Sequence, residues 1–210
     1  MKNIFDQYWK RYDTWYERHK FAYLSELEVI KNVLPDAVKK GKGLEIGVGT
    51  GRFASALGIS DGIEPSTKMA KLAQKRGIKV QIGNGENLPY RDEEFDFILI
   101  AITICFVQKP KKVISEANRV LKDRGKIILG IVDRNSFLGK FYQEKESVFY
   151  KEATFFSVKE MVKLLKDNKF GKFSFYQTIF HLPEKVKTIE PSLKGYGKGG
   201  FVVISGEKNV

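Results

Sequence analysis

From Gly43 onward, short apolar runs alternate with stretches whose apolar residues recur every three or four positions. That alternation predicts strands and helices in turn. Gly43–Gly47 reads as a buried strand and Thr50–Leu57 as the helix after it. Ser60–Glu64 is a second strand, and Ser66 can cap a helix whose Met69, Ala70, Leu72 and Ala73 face inward before Gly77 stops it. Ile78–Ile82 and Phe95–Ala101 follow as strands. Lys111–Lys122 is amphipathic, with Val113, Ala117, Val120 and Leu121 inward and Lys112, Glu116 and Arg119 outward. A fifth strand spans Ile127–Val132. Ser157 and Glu160 form a capping box before a helix carrying Val158, Met161, Val162 and Leu165 on one side. Two strands close the pattern, near Lys172–Phe180 and Gly199–Gly206; with no helical pattern between them, they are expected to be antiparallel.

The first 34 residues differ, reading as two helices broken near His19-Lys20 and closed by Pro35. Phe5, Tyr8, Tyr12, Tyr16, His19 and Tyr23 recur at spacings of three and four, which places them on one helical face. The expected architecture is α/β: a Rossmann-like, doubly wound, seven-stranded and mostly parallel sheet with an antiparallel last strand and an N-terminal helical cap. Residues 1–34 form the cap or lid and residues 35–210 the main domain of a single compact unit.

Composition narrows the picture. At 210 residues the chain can build one sizeable core. The longest apolar run, Phe97 to Val107, is 11 residues, short of the ~20 that span a bilayer. The beginning, MKNIFDQYWKR, lacks the apolar segment of a signal peptide, so a cytoplasmic protein is expected. One cysteine, Cys105, and two histidines, His19 and His181, leave little for a metal site, and none is expected. The formal charge of +12 admits a polyanionic partner such as RNA. Yet the basic residues are scattered and form no five-residue run, so a nucleic-acid substrate is the less favoured reading.

The chemistry concentrates at Leu44-Glu-Ile-Gly-Val-Gly-Thr-Gly51, between a strand and a helix at the carboxyl end of the sheet, where ligands of such folds bind. Gly47, Gly49 and Gly51 let the backbone turn tightly and approach a ligand, and free amides at the helix start are expected to donate to it. A dinucleotide fingerprint would place its third glycine at Arg52, and a phosphate-binding loop would need Gly-Lys-Ser/Thr. Glu45, two residues before the first glycine, suits a ligand with a cationic amino group. Glu64, ending the second strand 19 residues later, can accept two hydrogen bonds from a ribose diol.

Leu44–Phe53 and Gly62–Ser66 resemble the first two motifs of the class I S-adenosylmethionine-dependent methyltransferases, in the branch typified by ubiquinone-biosynthesis-like enzymes (methyltransferase type 11). Gly83–Tyr90 resembles the third motif, Phe95-Asp96 with Ile98–Ile100 the fourth, and Asn118–Gly125 the helix-to-strand turn that follows. The likeness is close over Gly43–Ile131 and looser beyond, at Thr154–Ser157 and Gly200–Ile204. It implies S-adenosyl-L-methionine as cofactor, with Gly47, Gly49 and Gly51 wrapping the methionine, Glu45 anchoring its amino group and Glu64 the ribose. Pro65, Asn84, Gly85 and Glu86 would surround the adenine, and Ala101 and Ile102 would touch the sulfonium region. The chain departs from the pattern at Asn84, often Asp; at Cys105-Phe106, commonly His-His; and at Arg124-Gly125, usually Gly-Gly.

Methyl transfer to a small-molecule N or O nucleophile is expected, by an in-line displacement that relies more on orientation than on a catalytic group. Tyr12, His19 and Asp133 are candidates for work on the acceptor, while Cys105 reads as a small buried wall residue and His181 has no role. His19 can equally be an ordinary residue of a helix junction and Asp133 the cap of a turn. RNA or protein methylation on the same fold, a nicotinamide-dependent oxidoreductase, an aminopropyltransferase and a silent cofactor-binding subunit are the rivals.

Overall fold

The computed structural model describes residues 4–34 and 41–209. Pro35, expected to close the N-terminal segment, lies outside the described residues. Helices α1 (Ile4–Arg18) and α2 (Lys20–Lys31) meet at His19, as the sequence predicts. The aromatic face of α1 is bent once, because Tyr8 leaves helical geometry (φ −113°, ψ 22°).

The sheet elements are β1 (Gly43–Ile46), β2 (Asp61–Glu64), β3 (Lys79–Ile82), β4 (Phe95–Ala101), β5 (Leu121–Val132), β6 (Phe170–Thr178), β7 (Leu193–Lys194) and β8 (Phe201–Lys208). Their order is β3-β2-β1-β4-β5-β8-β6-β7. The first five run parallel, and β8 inserts antiparallel between β5 and β6. Seven strands are those expected; the eighth is the two-residue β7, too short to carry a periodic signal, pairing at the β6 edge.

Helices α3 (Arg52–Leu57), α4 (Thr67–Lys75), α5 (Pro110–Val120), α6 (Phe137–Glu144) and α7 (Val158–Asp167) complete the fold. Ser66 caps α4 through Met69 N–H at 3.2 Å, and Ser157 with Glu160 closes the capping box of α7. Helix α5 stops at Val120 and β5 begins at once, because Leu121 pairs with Phe95 before a register shift. Arg124 lies in the left-handed region (φ 59°) at that turn, a conformation that glycine adopts at less cost. Helix α6 was not among the expected elements. Its apolar residues, Phe137, Leu138, Phe141 and Tyr142, are too few to set a helical period on their own.

Successive residues of the central strands feed opposite cores. Phe97 and Leu99 pack with α1, α2 and α3, while Ile98 and Ile100 pack with α5 and α7. Both faces are thereby covered, and the ligand-binding edge is left at the carboxyl ends of β1, β2, β4 and β5. Among the described residues no helix is long and apolar enough to cross a membrane.

Candidate functional site

The turn after β1 is held from within. Gly47 and Val48 N–H donate to Ile63 O (2.9 and 3.0 Å), Gly51 N–H to Val48 O (2.8 Å) and Gly49 N–H to Glu64 Oε2 (3.0 Å). These four amides are taken up within the turn, so donation to a ligand falls to the helix start beyond Gly51. What the turn itself offers is close approach. Gly51 (φ 83°) lies against α4, where an added Cβ would sit 2.9 Å from the backbone of Ala73. Gly49 (φ 55°) faces Tyr12, whose ring would be 3.8 Å from such a Cβ.

Two acids flank the turn. Glu45 is 1% exposed and its Oε2 has no hydrogen-bond partner. Burial holds its carboxyl well above the usual range, against a bond from the Ala54 backbone, with Glu64 adding to the rise. Glu64 is also buried and accepts from Gly49 N–H and Ser66 N–H (2.8 Å). Its carboxyl is pushed up to about 7 by burial, despite those two bonds. A carboxylate has about four acceptor directions, so room remains for hydroxyls. Two buried acids, one with an orphaned oxygen, fit a ligand that brings a cationic amino group and a diol.

The third motif forms the neighbouring rim. Asn84 is exposed and its Oδ1 accepts Glu86 N–H at 3.1 Å; Pro65 is exposed and Glu86 half-buried. Gly85 is buried, because a Cβ there would meet Ile46 at 2.7 Å. Ile82, the register partner of Glu64, is 55% exposed. The rim is fixed from beneath by Glu116 and Arg119, which the sequence placed outward. Glu116 is buried, accepting Leu88 N–H (2.9 Å) and pairing with Arg119 (2.8 Å), while Arg119 donates to the carbonyls of Leu88 (3.0 Å) and Tyr90 (2.9 Å). The Arg119 bond carries the Glu116 carboxyl down to about 2. Amphipathic periodicity cannot show this, since the partners are backbone groups about thirty residues away.

Helix α1 lies across this edge and is tied down at two points. Asp6 accepts from Ser66 Oγ (2.5 Å) and Lys68 N–H (3.2 Å). Asp13 accepts from Thr50 Oγ1 (2.7 Å), Arg52 (2.8 Å) and Arg76 (3.1 Å). Burial alone would raise the Asp13 carboxyl, but these bonds draw it far below the normal range. Arg52, which stands where a dinucleotide fingerprint has glycine, thus serves as a clamp on α1.

Beyond the end of β4 lies a cavity of about 290 Å³. Its walls come from α1 (Tyr12, Tyr16), the β4 end (Ile102, Cys105), and the segment 142–156 (Tyr142, Phe149). Ile102 takes φ 52°, a strained value for a β-branched residue, with its N–H bonded to Gly130 O at 2.8 Å. Phe5 packs edge-on against Phe106 and stacks on Phe149 (ring centroids 5.1 and 5.5 Å), joining α1 to the far wall. Cys105 is buried enough that its thiol is pushed up to about 12, so it is a wall group and a poor nucleophile.

Of the acceptor candidates, Tyr12 and His19 reach this cavity. Tyr12 shares a 2.8 Å hydroxyl–hydroxyl bond with Tyr16, and His19 stacks on Trp15 with Nδ1 3.0 Å from Trp15 O, leaving Nε2 as the other ring nitrogen. Asp133 is not among the lining residues; its Oδ1 caps Asn135 N–H at 3.2 Å. His181 pairs with Glu190 on the surface. The sequence reading missed Glu26, a buried acid of α2 that lines the cavity. It also missed Phe149 and Tyr150. The signals were present: Glu26 stands three and four residues from Tyr23, Ala22, Val29 and Ile30, an acid on an apolar face, and Phe137–Phe156 is dense in aromatics. No group of acids, histidines and cysteines among the described residues could hold a metal.

Comparison with known proteins matches this geometry. A family model described as a methyltransferase domain matches residues 44–129. A solved structure from Thermotoga maritima, described as a SAM-dependent methyltransferase and possible histamine N-methyltransferase, superposes with a TM-score of 0.94 at 51% identity, covering 98% of both chains. An uncharacterized protein of Methanocaldococcus jannaschii is 53% identical over 98% of this chain and 99% of its own length. Demethylmenaquinone methyltransferase of Thermotoga maritima is 34% identical over 55% of this chain and 53% of its own. With five parallel strands, the glycine turn and its two acids in place, the chain belongs to the class I S-adenosylmethionine-dependent methyltransferases.

Proposed function

We propose that this methyltransferase acts on a small molecule, transferring the methyl group by in-line displacement to a nitrogen or oxygen nucleophile. The cofactor supplies a methyl group already activated on a sulfonium, so the chain's work is to bind, orient and exclude water. Glu45 would take the cofactor's amino group on its orphaned Oε2, and Glu64 the ribose hydroxyls. Gly47, Gly49 and Gly51 would admit the methionine portion, and Pro65, Asn84, Gly85 and Glu86 would border the adenine. Ala101 and Ile102 would face the reacting end. Residues 1–34 would serve as the lid over a domain of residues 35–210, latched through Asp6 and Asp13.

The observation that carries the reading is the cavity beside Ile102. At about 290 Å³, it stands at the lower end of the roughly 300–1,000 Å³ of small-ligand sites, and α1 and the segment 142–156 wall it in. A nucleic-acid strand needs an open groove. The description of the Thermotoga maritima relative as a possible histamine N-methyltransferase favours nitrogen. The test is transfer of labelled methyl from S-adenosylmethionine into a panel of small amines and alcohols, with bulk RNA and protein alongside. Label in a small molecule is expected; label in RNA or protein only, or none anywhere, would contradict the reading.

A further inference from the structure

Glu26 has no role in cofactor binding or in the fold's hydrogen bonding that accounts for its burial. It is 4% exposed, it lines the acceptor cavity, and its Oε2 has no hydrogen-bond partner. Ordinary helix packing would place an apolar residue at this position, between Ala22 and Ile30. Four tyrosines line the same cavity: Tyr12 and Tyr16 of α1, Tyr142 of α6, and Tyr150. Each of these phenols is held above its usual range, chiefly by burial, and in each the charge of Glu26 adds to the rise. Aromatic faces beside a buried carboxyl with an unpartnered oxygen are complementary to a cation with an apolar body.

We propose that Glu26 is the recognition group for the methyl acceptor, and that the acceptor is a small monoamine bound as its ammonium ion, with a ring or short alkyl body among the tyrosines. This rests on the small-molecule reading of the same cavity. The other charged groups facing the space are His19 on α1–α2, Glu146 and the Lys145–Glu184 pair (3.3 Å), with Arg11 and Arg18 on α1. Burial pushes the Glu26 carboxyl up to about 8, so near neutral pH much of it is protonated before the ligand arrives. Binding then exchanges charges: the carboxyl gives its proton to solvent and the carboxylate receives the ammonium N–H. Before transfer the ammonium gives that proton to the Glu26 carboxylate, so that a neutral amine with a free lone pair is the nucleophile.

The experiment is titration calorimetry on the full chain saturated with S-adenosylhomocysteine, at pH 7, in two buffers of different ionisation enthalpy. The ligands are histamine, 2-phenylethylamine and tryptamine, with 2-phenylethanol and tryptophol as neutral counterparts. At least one amine is expected to bind roughly tenfold or more tightly than the alcohols, with release of about one proton. Glu26→Gln should abolish both the preference and the proton release, while Glu26→Asp should keep part of each. Unchanged S-adenosylhomocysteine affinity will show that the variants are folded. The proposal is overturned if no amine is preferred over the alcohols, or if the preference survives in Glu26→Gln. If an alcohol is methylated and Glu26→Gln makes no difference, this inference falls and the small-molecule function stands. Label entering RNA or protein alone would remove both.

Discussion

The edge proposed for the cofactor and the cavity proposed for the acceptor meet at Ile102, yet they are made of different materials. The edge is largely backbone: a self-bonded turn, strand ends in fixed register, and Glu45 and Glu64 set among main-chain donors. The cavity is side chain: aromatic rings from α1, α2 and residues 142–156, arranged around Glu26. Backbone geometry suits a ligand that never changes, and side chains suit one that differs from enzyme to enzyme. In one respect the two regions are alike, for each buries an acid that is not fully paired. Asp13, beside the turn, is fully paired with arginines, whereas Glu26 and Glu45 each keep an unpartnered oxygen. Unpaired buried acids are costly, and a ligand that neutralises them gains what folding lost.

The sharpest break in this contrast is Glu64→Ala. Removing a carboxylate that would hold two ribose hydroxyls, at about 1.5 kcal/mol each, should weaken S-adenosylhomocysteine binding by about 100-fold in calorimetry. Asp13→Ala should cost about 2 kcal/mol in urea unfolding, since it leaves Arg52 with Glu17 and Arg76 with the Thr50 carbonyl, and removes the carboxylate that ties α1 to both. Unaltered stability would mean that the network is not what holds α1.

Stability against pH sharpens the comparison further. Glu26 and Glu64 have folded-state values of about 8 and about 7, above an unfolded value of 4.5, so the folded state holds more protons between. Stability should therefore fall as pH rises from about 5 to about 8, by several kcal/mol, since each unit of difference between folded and unfolded values is worth about 1.4 kcal/mol. Asp13 acts in the opposite sense: its depressed value lends stability that is present above its unfolded value near 3.8 and lost only in stronger acid. Thermal unfolding from pH 5 to 8 checks the sign, and S-adenosylhomocysteine should flatten the Glu64 share. In Glu26→Gln the slope should lessen. The smallest effect belongs to Cys105→Ala, which should leave methyl transfer within about twofold, because a thiol held near 12 is not ionised. A large loss would restore a chemical role to the cysteine.

How much could be read from the sequence follows the same division. Glu45, the three glycines and Glu64 were legible because strand–turn–helix spacing is local, and Ser66 and Ser157 declared their helices through caps. The mostly parallel sheet followed from alternation, while its strand order came only with the structure. Glu116 was misread because burial beneath a distant loop leaves no trace in a helical period, and half-exposed Arg119 gave no sign of the loop carbonyls it holds. Glu26 went unnoticed because an acid among apolar neighbours gains meaning only when Tyr142 and Tyr150 arrive from over a hundred residues away. Local geometry is written in the sequence; assembled side-chain pockets are not.

The most direct test of the division is a crystal structure of the chain with S-adenosylhomocysteine. The account predicts ribose hydroxyls on Glu64, the amino group at Glu45, and the sulfur at Ile102 facing the cavity that holds Glu26. A cofactor whose ribose lies away from Glu64, or whose sulfur points away from that cavity, would contradict it.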